Sequence, residues 1–170
     1  MRIYLIGMPG SGKTTLGYGL AKHLNMPLID MDKVIEEKEG RKIADIFAKD
    51  GEGYFRDIER LVLHEVTKQQ NVIISCGGGV PCFFDNVDYM NAKGDTVFID
   101  VSPAQLFERM LMSGNAAKRP LLNGKEDDAL LKELEEKLKY RKQFYTKAKK
   151  TITGDCLQVE DLILAINAQG

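Results

Sequence analysis

The sequence predicts a three-layer α/β/α sandwich built on a five-stranded parallel sheet, and three observations carry that reading. Short apolar runs without polar alternation recur along the chain, among them Val72-Ile73-Ile74 and Val97-Phe98-Ile99, as expected of strands buried on both faces. Stretches with apolar residues at helical spacing separate them, the alternation of a parallel sheet with right-handed crossovers. The first apolar run leads straight into Gly7-Met8-Pro9-Gly10-Ser11-Gly12-Lys13-Thr14 and then into a helical pattern. A glycine-rich phosphate-binding motif thus lies between a strand and a helix, where its chemistry requires it.

Each element follows from local pattern. Arg2-Ile3-Tyr4-Leu5-Ile6 is apolar and partly β-branched and reads as the first strand. Leu16, Leu20, Ala21 and Leu24 share a helix face; Asn25 and Pro27 end that helix, since Asn tolerates a left-handed cap and Pro cannot continue. Pro27-Leu28-Ile29-Asp30 is a short second strand. From Lys33 to Gln70 the pattern is helical, with stripes through Val34, Ile35, Ile43, Ile46, Phe47, Phe55, Ile58, Leu61 and Val62, and with Gly40 and Gly51 as breaks. Residues 71–75 are the third strand, a short helix covers residues 84–91, and residues 95–101 are the fourth strand. Ser102-Pro103-Ala104-Gln105 opens the next helix with a capping box and a first-turn Pro; Leu106, Met110 and Leu111 give it an apolar face. Residues 113–126 are rich in breakers and carry Lys118 and Arg119, so they read as a lid. A long amphipathic helix from Asp127, a weak fifth strand over residues 150–153 and a final helix over residues 158–168 complete the chain.

The motif defines a chemistry. Its glycines let backbone N–H groups converge on phosphate oxygens, and the helix N-terminus adds partial positive charge. Gly10, Ser11, Gly12, Lys13, Thr14 and Thr15 are therefore the expected ATP-binding residues, with Lys13 reaching the β- and γ-phosphates and the Thr14 hydroxyl able to ligate Mg²⁺. Asp30-Met31-Asp32 puts two carboxylates at the end of the second strand, facing the same sheet edge. The alternative is that Asp32 caps a helix starting at Lys33 and Asp30 is a solvated turn residue. Cys76-Gly77-Gly78-Gly79 closes the third strand with backbone that a ligand can approach closely. Ser75 is either a group that orients a metal-bound water or a satisfied core hydroxyl, and Arg56 with Glu59 is, by spacing alone, equally a surface i,i+3 ion pair.

Composition narrows the class. A chain of 170 residues is read as one domain, with the phosphate loop at residues 7–14, a helical acceptor region at about 31–60 and the lid at about 113–126. The net charge of −1 gives no reason to expect nucleic acid or an anionic membrane as partner, and no apolar run reaches the roughly 18 residues of a membrane span. Met1 runs into the first strand without a signal-peptide pattern, and three cysteines follow no metal spacing, so a cytoplasmic protein with free thiols is expected, as a monomer. A switch GTPase needs N-K-x-D, and Asn91-Ala92-Lys93-Gly94-Asp95 has the wrong spacing. The third strand ends in Ser75-Cys76-Gly77 rather than an acid, unlike a motor-type ATPase. A small chain with an acceptor region after the second strand and an Arg-bearing lid looks like a small-molecule kinase.

The motifs in order resemble the shikimate kinase family, over nearly the whole chain. The family's D-[ST]-D matches Asp30-Met31-Asp32, with Met31 a departure at the centre; its G-E-x-x-F-R-x-x-E matches Gly51, Glu52, Phe55, Arg56 and Glu59. Its glycine triplet matches Gly77, Gly78 and Gly79, its R-P-L-L matches Arg119-Pro120-Leu121-Leu122, and its R-x-x-x-Y matches Arg141 and Tyr145. The resemblance implies a P-loop kinase that phosphorylates shikimate from ATP with Mg²⁺. It implies that Arg56 and Arg141 bind the substrate carboxylate, that Asp32 accepts from the ring hydroxyls and serves as base, and that Gly78 and Gly79 offer backbone N–H groups. It implies that Thr14 and Asp30 serve the metal, that Lys13 and Arg119 neutralise the transferring phosphoryl group, and that Phe55 and Glu59 support the acceptor wall and Arg56. The family's adenine-stacking Arg aligns with Met112, with Arg109 about one turn earlier. Kinases for gluconate or nucleoside monophosphates, and a non-catalytic nucleotide sensor, are the competing readings.

Overall fold

Five strands pair in parallel in the order β2-β3-β1-β4-β5, with β1 (Arg2–Ile6) at the centre, β2 (Leu28–Asp30) and β3 (Val72–Ser75) on one side, and β4 (Asp95–Asp100) and β5 (Lys150–Thr153) on the other. The structure, a computed structural model, describes residues 1–112 and 124–168. Around the sheet lie α1 (Lys13–Leu24), α2 (Met31–Glu39), α3 (Ile43–Val66), α4 (Asn86–Lys93), α5 (Pro103–Met112), α6 (Gly124–Tyr145) and α7 (Val159–Asn167), with a short 3-10 turn at Val80–Cys82.

The chain leaves β1 in one direction and then steps back across the sheet three times. Right-handed crossovers therefore put α1 on one face and the intervening helices on the other. The packing agrees: α1 lies with α7, while α3, α4 and α6 all meet the Val80–Cys82 turn. Gly17 and Gly19 let α1 sit close. A side chain at Gly17 would strike Leu28, and one at Gly19 would strike Val159 of α7. The middle strands are buried throughout: Ile3, Leu5, Ile73, Ile74, Val97 and Ile99 are at most 1% exposed, each burial worth about 1.5–3 kcal/mol.

Most element boundaries move by one to three residues from the sequence reading, and two shifts have clear causes. Asp30 rather than Asp32 caps α2, so the helix starts at Met31 and not at Lys33. The helix expected over residues 84–91 starts at Asn86, because Phe84 takes a left-handed backbone conformation (φ 52°) that a helix cannot contain. Gly40 is the left-handed cap of α2, and Gly51 (φ 80°, ψ 175°) interrupts α3, so both glycine breaks fall where the sequence places them. The long helix expected from Asp127 begins at Gly124, and the segment read as a lid lies outside the described residues up to residue 123.

Candidate active site

The carboxyl ends of β1, β2 and β3 open into a cleft of about 380 Å³ lined by Pro9, Gly10, Gly12, Lys13, Thr14, Thr15, Asp30, Asp32, Ser75, Cys76, Gly77 and Gly78. The phosphate loop forms its floor. Gly7 has φ 147° and its Cα faces the Ile99 carbonyl so closely that a Cβ would lie 2.7 Å from the oxygen, so no other residue fits. Gly12 (φ 93°) turns the chain into α1. Lys13 is buried, and its Nζ donates to the Gly7 and Met8 carbonyls at 3.0 and 2.8 Å. Burial lowers its pKa to about 8, against the pull of the Asp32 and Asp30 carboxylates. Ser11 Oγ is buried inside the loop with no partner among the described residues.

Beside the loop, three side chains from three elements meet. Thr14 Oγ1 donates to Asp30 Oδ2 at 2.9 Å and lies 3.0 Å from Ser75 Oγ. Asp30 uses its other oxygen to cap α2, accepting from Asp32 N at 3.1 Å and, at the limit of bonding, from Lys33 N at 3.5 Å. Asp30 is thus no solvated turn residue, and Ser75, 3% exposed, is a satisfied hydroxyl within this cluster. Among the described residues no group of three or more His, Cys, Asp and Glu gathers as a metal cage. One hydroxyl and one carboxylate next to a phosphate loop is the sparse set that suits Mg²⁺, which keeps waters and takes the rest of its oxygens from phosphates.

The far side of the cleft is organised by the glycine triplet, and the reason is space. A Cβ on Gly77 would lie 2.8 Å from Asp32 Oδ1 and 2.9 Å from Glu59 Oε1. One on Gly78 would meet Pro9 Cδ at 2.7 Å and Arg141 Nη1 at 3.0 Å. One on Gly79 would strike the Arg56 guanidinium, 2.7 Å from Cζ. Each glycine makes room for a different polar side chain. Asp32 is exposed to the open cleft; partial desolvation by the surrounding walls first and then the neighbouring Asp30 raise its pKa above the usual carboxylate value, against Lys13.

Arg56 and Glu59 form a buried pair rather than a surface one. Their side chains are 9% and 2% exposed, with Nη1 donating to Glu59 Oε2 at 2.7 Å. Burial raises the Glu59 pKa and Arg56 opposes it. The guanidinium lies between Gly79 and the Phe83 ring, whose centroid is 4.1 Å from Cζ, with Phe55 at 5.1 Å. Arg141, on α6, has a buried Nη1 with no partner among the described residues. One turn later the Tyr145 hydroxyl donates to the Gly78 carbonyl at 2.6 Å and approaches Met8 Sδ at 3.8 Å. Burial keeps that phenol protonated and donating.

On the outer side of the phosphate loop, Arg109 donates to the Gly10 carbonyl at 3.0 Å and to the Asp155 carbonyl at 2.7 Å. It lines a second hollow of about 270 Å³ with Gly10, Ser11, Gly12, Thr15, Leu16 and Leu157. Met112 is 82% exposed and lines neither hollow, so Arg109 is the side chain next to the loop. The structure thus brings together the loop residues, Asp30, Asp32, Arg56, Gly78, Gly79 and Arg141; Arg119 lies outside the described residues. Sequence reasoning missed Phe83 as the face under Arg56, and it missed the Tyr145 to Gly78 bond. Only the R-x-x-x-Y spacing hinted at the latter.

A phosphate loop with its lysine, the Thr14–Asp30–Ser75 corner beside it and a polar pocket that gathers Asp32, Arg56, Glu59 and Arg141 around three glycines fit a small-molecule kinase of the P-loop class. The shikimate kinase family model matches residues 9–167, and the chain belongs to that family. It is 46% identical over 158 residues to the shikimate kinase of Bacteroides thetaiotaomicron, covering 93% of this chain and 89% of that one, and 39% identical over 155 residues to that of Aquifex aeolicus, covering 91% and 88%. The crystal structure of the B. thetaiotaomicron shikimate kinase superposes with a TM-score of 0.87 at 44% identity, covering 98% of this chain and 96% of that chain. Shikimate kinase from Acinetobacter baumannii in complex with shikimate superposes at 0.79 with 33% identity, covering 99% and 95%. Deoxyadenosine kinase from M. mycoides, at 19% identity and a TM-score of 0.56, shares the fold.

Proposed function

We propose that this protein transfers the γ-phosphoryl group of ATP to the 3-hydroxyl of shikimate, giving shikimate 3-phosphate and ADP, with Mg²⁺ as cofactor. One observation carries the choice of acceptor. Beside Asp32 there are two arginines, and the buried Nη1 of Arg141 has no partner among the described residues, which fits an acceptor that brings its own carboxylate.

In this reading the loop N–H groups, Lys13 and Thr15 hold the phosphates, and Arg109 lies where the base would be bordered. Thr14 and Asp30 would hold Mg²⁺, which would supply charge neutralisation to the nucleotide phosphates. Arg56 and Arg141 bind the carboxylate, and Gly78 and Gly79 let the ring lie against backbone. Asp32 takes the proton of the attacking hydroxyl, a role that its raised pKa favours. The bond from the γ-phosphorus to its bridging oxygen breaks as the new bond to the acceptor oxygen forms. Lys13, together with Arg119 from the segment 113–126, stabilises the charge that develops. The three unpaired cysteines support a reducing, cytoplasmic setting, and the near-neutral charge supports the absence of nucleic-acid or anionic-membrane partners. No helix among the described residues is long and apolar enough to cross a membrane.

A coupled ADP-release assay with Mg²⁺ and ATP, offering shikimate, gluconate and nucleoside monophosphates in parallel, tests the reading. Turnover with shikimate alone is expected. Turnover with gluconate but not shikimate would assign the arginines to another carboxylate, and none at all would leave a nucleotide sensor.

A further inference from the structure

Arg56 is held between two carboxylates of its own helix. Glu59 Oε2 accepts from Nη1 at 2.7 Å, and on the other side Glu52 Oε1 accepts from Nε at 3.2 Å and from Nη2 at 3.0 Å. The two acids differ in environment: the Glu59 side chain is 2% exposed and that of Glu52 57%. The Nε/Nη2 edge engaged by Glu52 is one of the two edges along which a guanidinium pairs with both oxygens of a carboxylate, and Glu59 already draws on Nη1 of the other. An incoming carboxylate that is to pair fork to fork with Arg56 must therefore displace an internal one. Glu52 is the one that can leave at small cost, because its charge goes back to water. It also follows Gly51, whose φ of 80° and ψ of 175° break the helix just before it, with open space on that side.

We propose that Glu52 is a displaceable stand-in for the acceptor carboxylate. Without acceptor it occupies the Nε/Nη2 edge and keeps the buried guanidinium paired and oriented on Phe83; the acceptor carboxylate takes that edge and Glu52 swings to solvent. The exchange makes an acceptor anion a condition of entry, since a neutral analogue has nothing to replace Glu52 with. The inference rests on the assignment of Arg56 to the acceptor carboxylate made above.

The test compares direct binding and KM of shikimate and of its methyl ester in the wild type, Glu52→Gln, Glu52→Ala and Arg56→Ala proteins. Removing a half-exposed competitor should tighten shikimate binding about two- to fivefold in both Glu52 variants, with no matching gain for the ester. Weaker or unchanged shikimate binding in the Glu52 variants, or an equal gain for acid and ester, overturns the proposal, because Glu52 then supports Arg56 or acts only through its field. Arg56→Ala separates the two levels. If it weakens shikimate binding while the Glu52 variants do not tighten it, only the stand-in role falls. If it leaves shikimate binding unchanged, the carboxylate assignment falls as well.

Discussion

Replacing Gly79 by Ala tests the idea that the glycine triplet exists to make room for functional side chains. The added methyl would sit 2.7 Å from Arg56 Cζ and Nη2, about 0.7 Å inside ordinary van der Waals contact. The guanidinium cannot retreat along its normal, because the Phe83 ring lies 4.1 Å away on the other face. Nor can it slide freely in its plane, where Glu59 holds Nη1 at 2.7 Å. The φ at this residue is −87°, which Ala adopts without strain, so the effect isolates space from backbone conformation. Displacing the guanidinium should cost the charge-assisted pairing with the acceptor, roughly 1.5–3 kcal/mol, or about a tenfold to hundredfold rise in the KM for shikimate. Overpacking should also lower stability by about 1–3 kcal/mol, measured by denaturant unfolding. Coupled ADP-release kinetics at saturating ATP read the first effect, and the KM for ATP serves as the internal control. A Gly79→Ala protein with unchanged KM for shikimate would refute the reasoning, since Arg56 would then not be the group that binds the acceptor from that position.

Other outcomes follow from the same geometry. Asp32→Asn should lower kcat by about 10²–10⁴ while ATP still binds in a titration; loss of ATP binding instead would place Asp32 on the nucleotide side. Thr14→Val removes the hydroxyl that bridges Asp30 and Ser75, so the Mg²⁺ concentration for half-maximal rate should rise, and chelation by EDTA should stop turnover in the wild type; an unchanged Mg²⁺ titration would argue against this corner as the metal site. Lys13 titrates at about 8 in the folded protein against an ordinary value of 10.5, so kcat/KM for ATP should fall as pH rises through about 8 and the phosphate-binding charge is lost. Between those two values the unfolded chain binds more protons than the folded one, so thermal stability should rise with pH across that window, and Lys13→Met should flatten the rise.

Much of this architecture is legible in the sequence because it is local. A buried parallel strand needs only a short apolar run, and the phosphate loop needs only its eight residues between a strand and a helix, so β1, α1, β3 and β4 and the floor of the cleft emerge from pattern alone. What escapes is whatever depends on a residue far along the chain. Arg56 and Glu59 look the same on a surface helix as in a core. Gly79 and Phe83 cover Arg56 and Gly77 lies against Glu59, all on a segment distant in sequence. Arg109 and Met112 cannot be ranked without knowing that the turn after β5 brings Asp155 to the loop. The glycine triplet is visible as a motif, but its cause lies in side chains on α2, α3, α6 and the phosphate loop. Asp30 capped α2 in place of Asp32 because one carboxylate can serve Thr14 and two backbone N–H groups at once, an economy that sequence spacing does not display.

The meeting of Thr14, Asp30 and Ser75 also makes the nucleotide corner a reporter of strand pairing. Asp30 and Ser75 are register partners in the β2–β3 ladder, and Leu5 is the partner of Ser75 in β1. Side chains alternate along a strand, so a slip of β2 by one residue would present Ile29 where Asp30 stands and turn the acid to the opposite face. A misregistered sheet would hold its apolar residues in nearly the same volume and still lack this corner. A ligand that binds only the correct corner stabilises only the correct pairing, by mass action. Nucleotide present while the chain refolds would accordingly raise the yield of properly aligned molecules, and the three-residue β2, the shortest strand of the sheet, is where that selection would act.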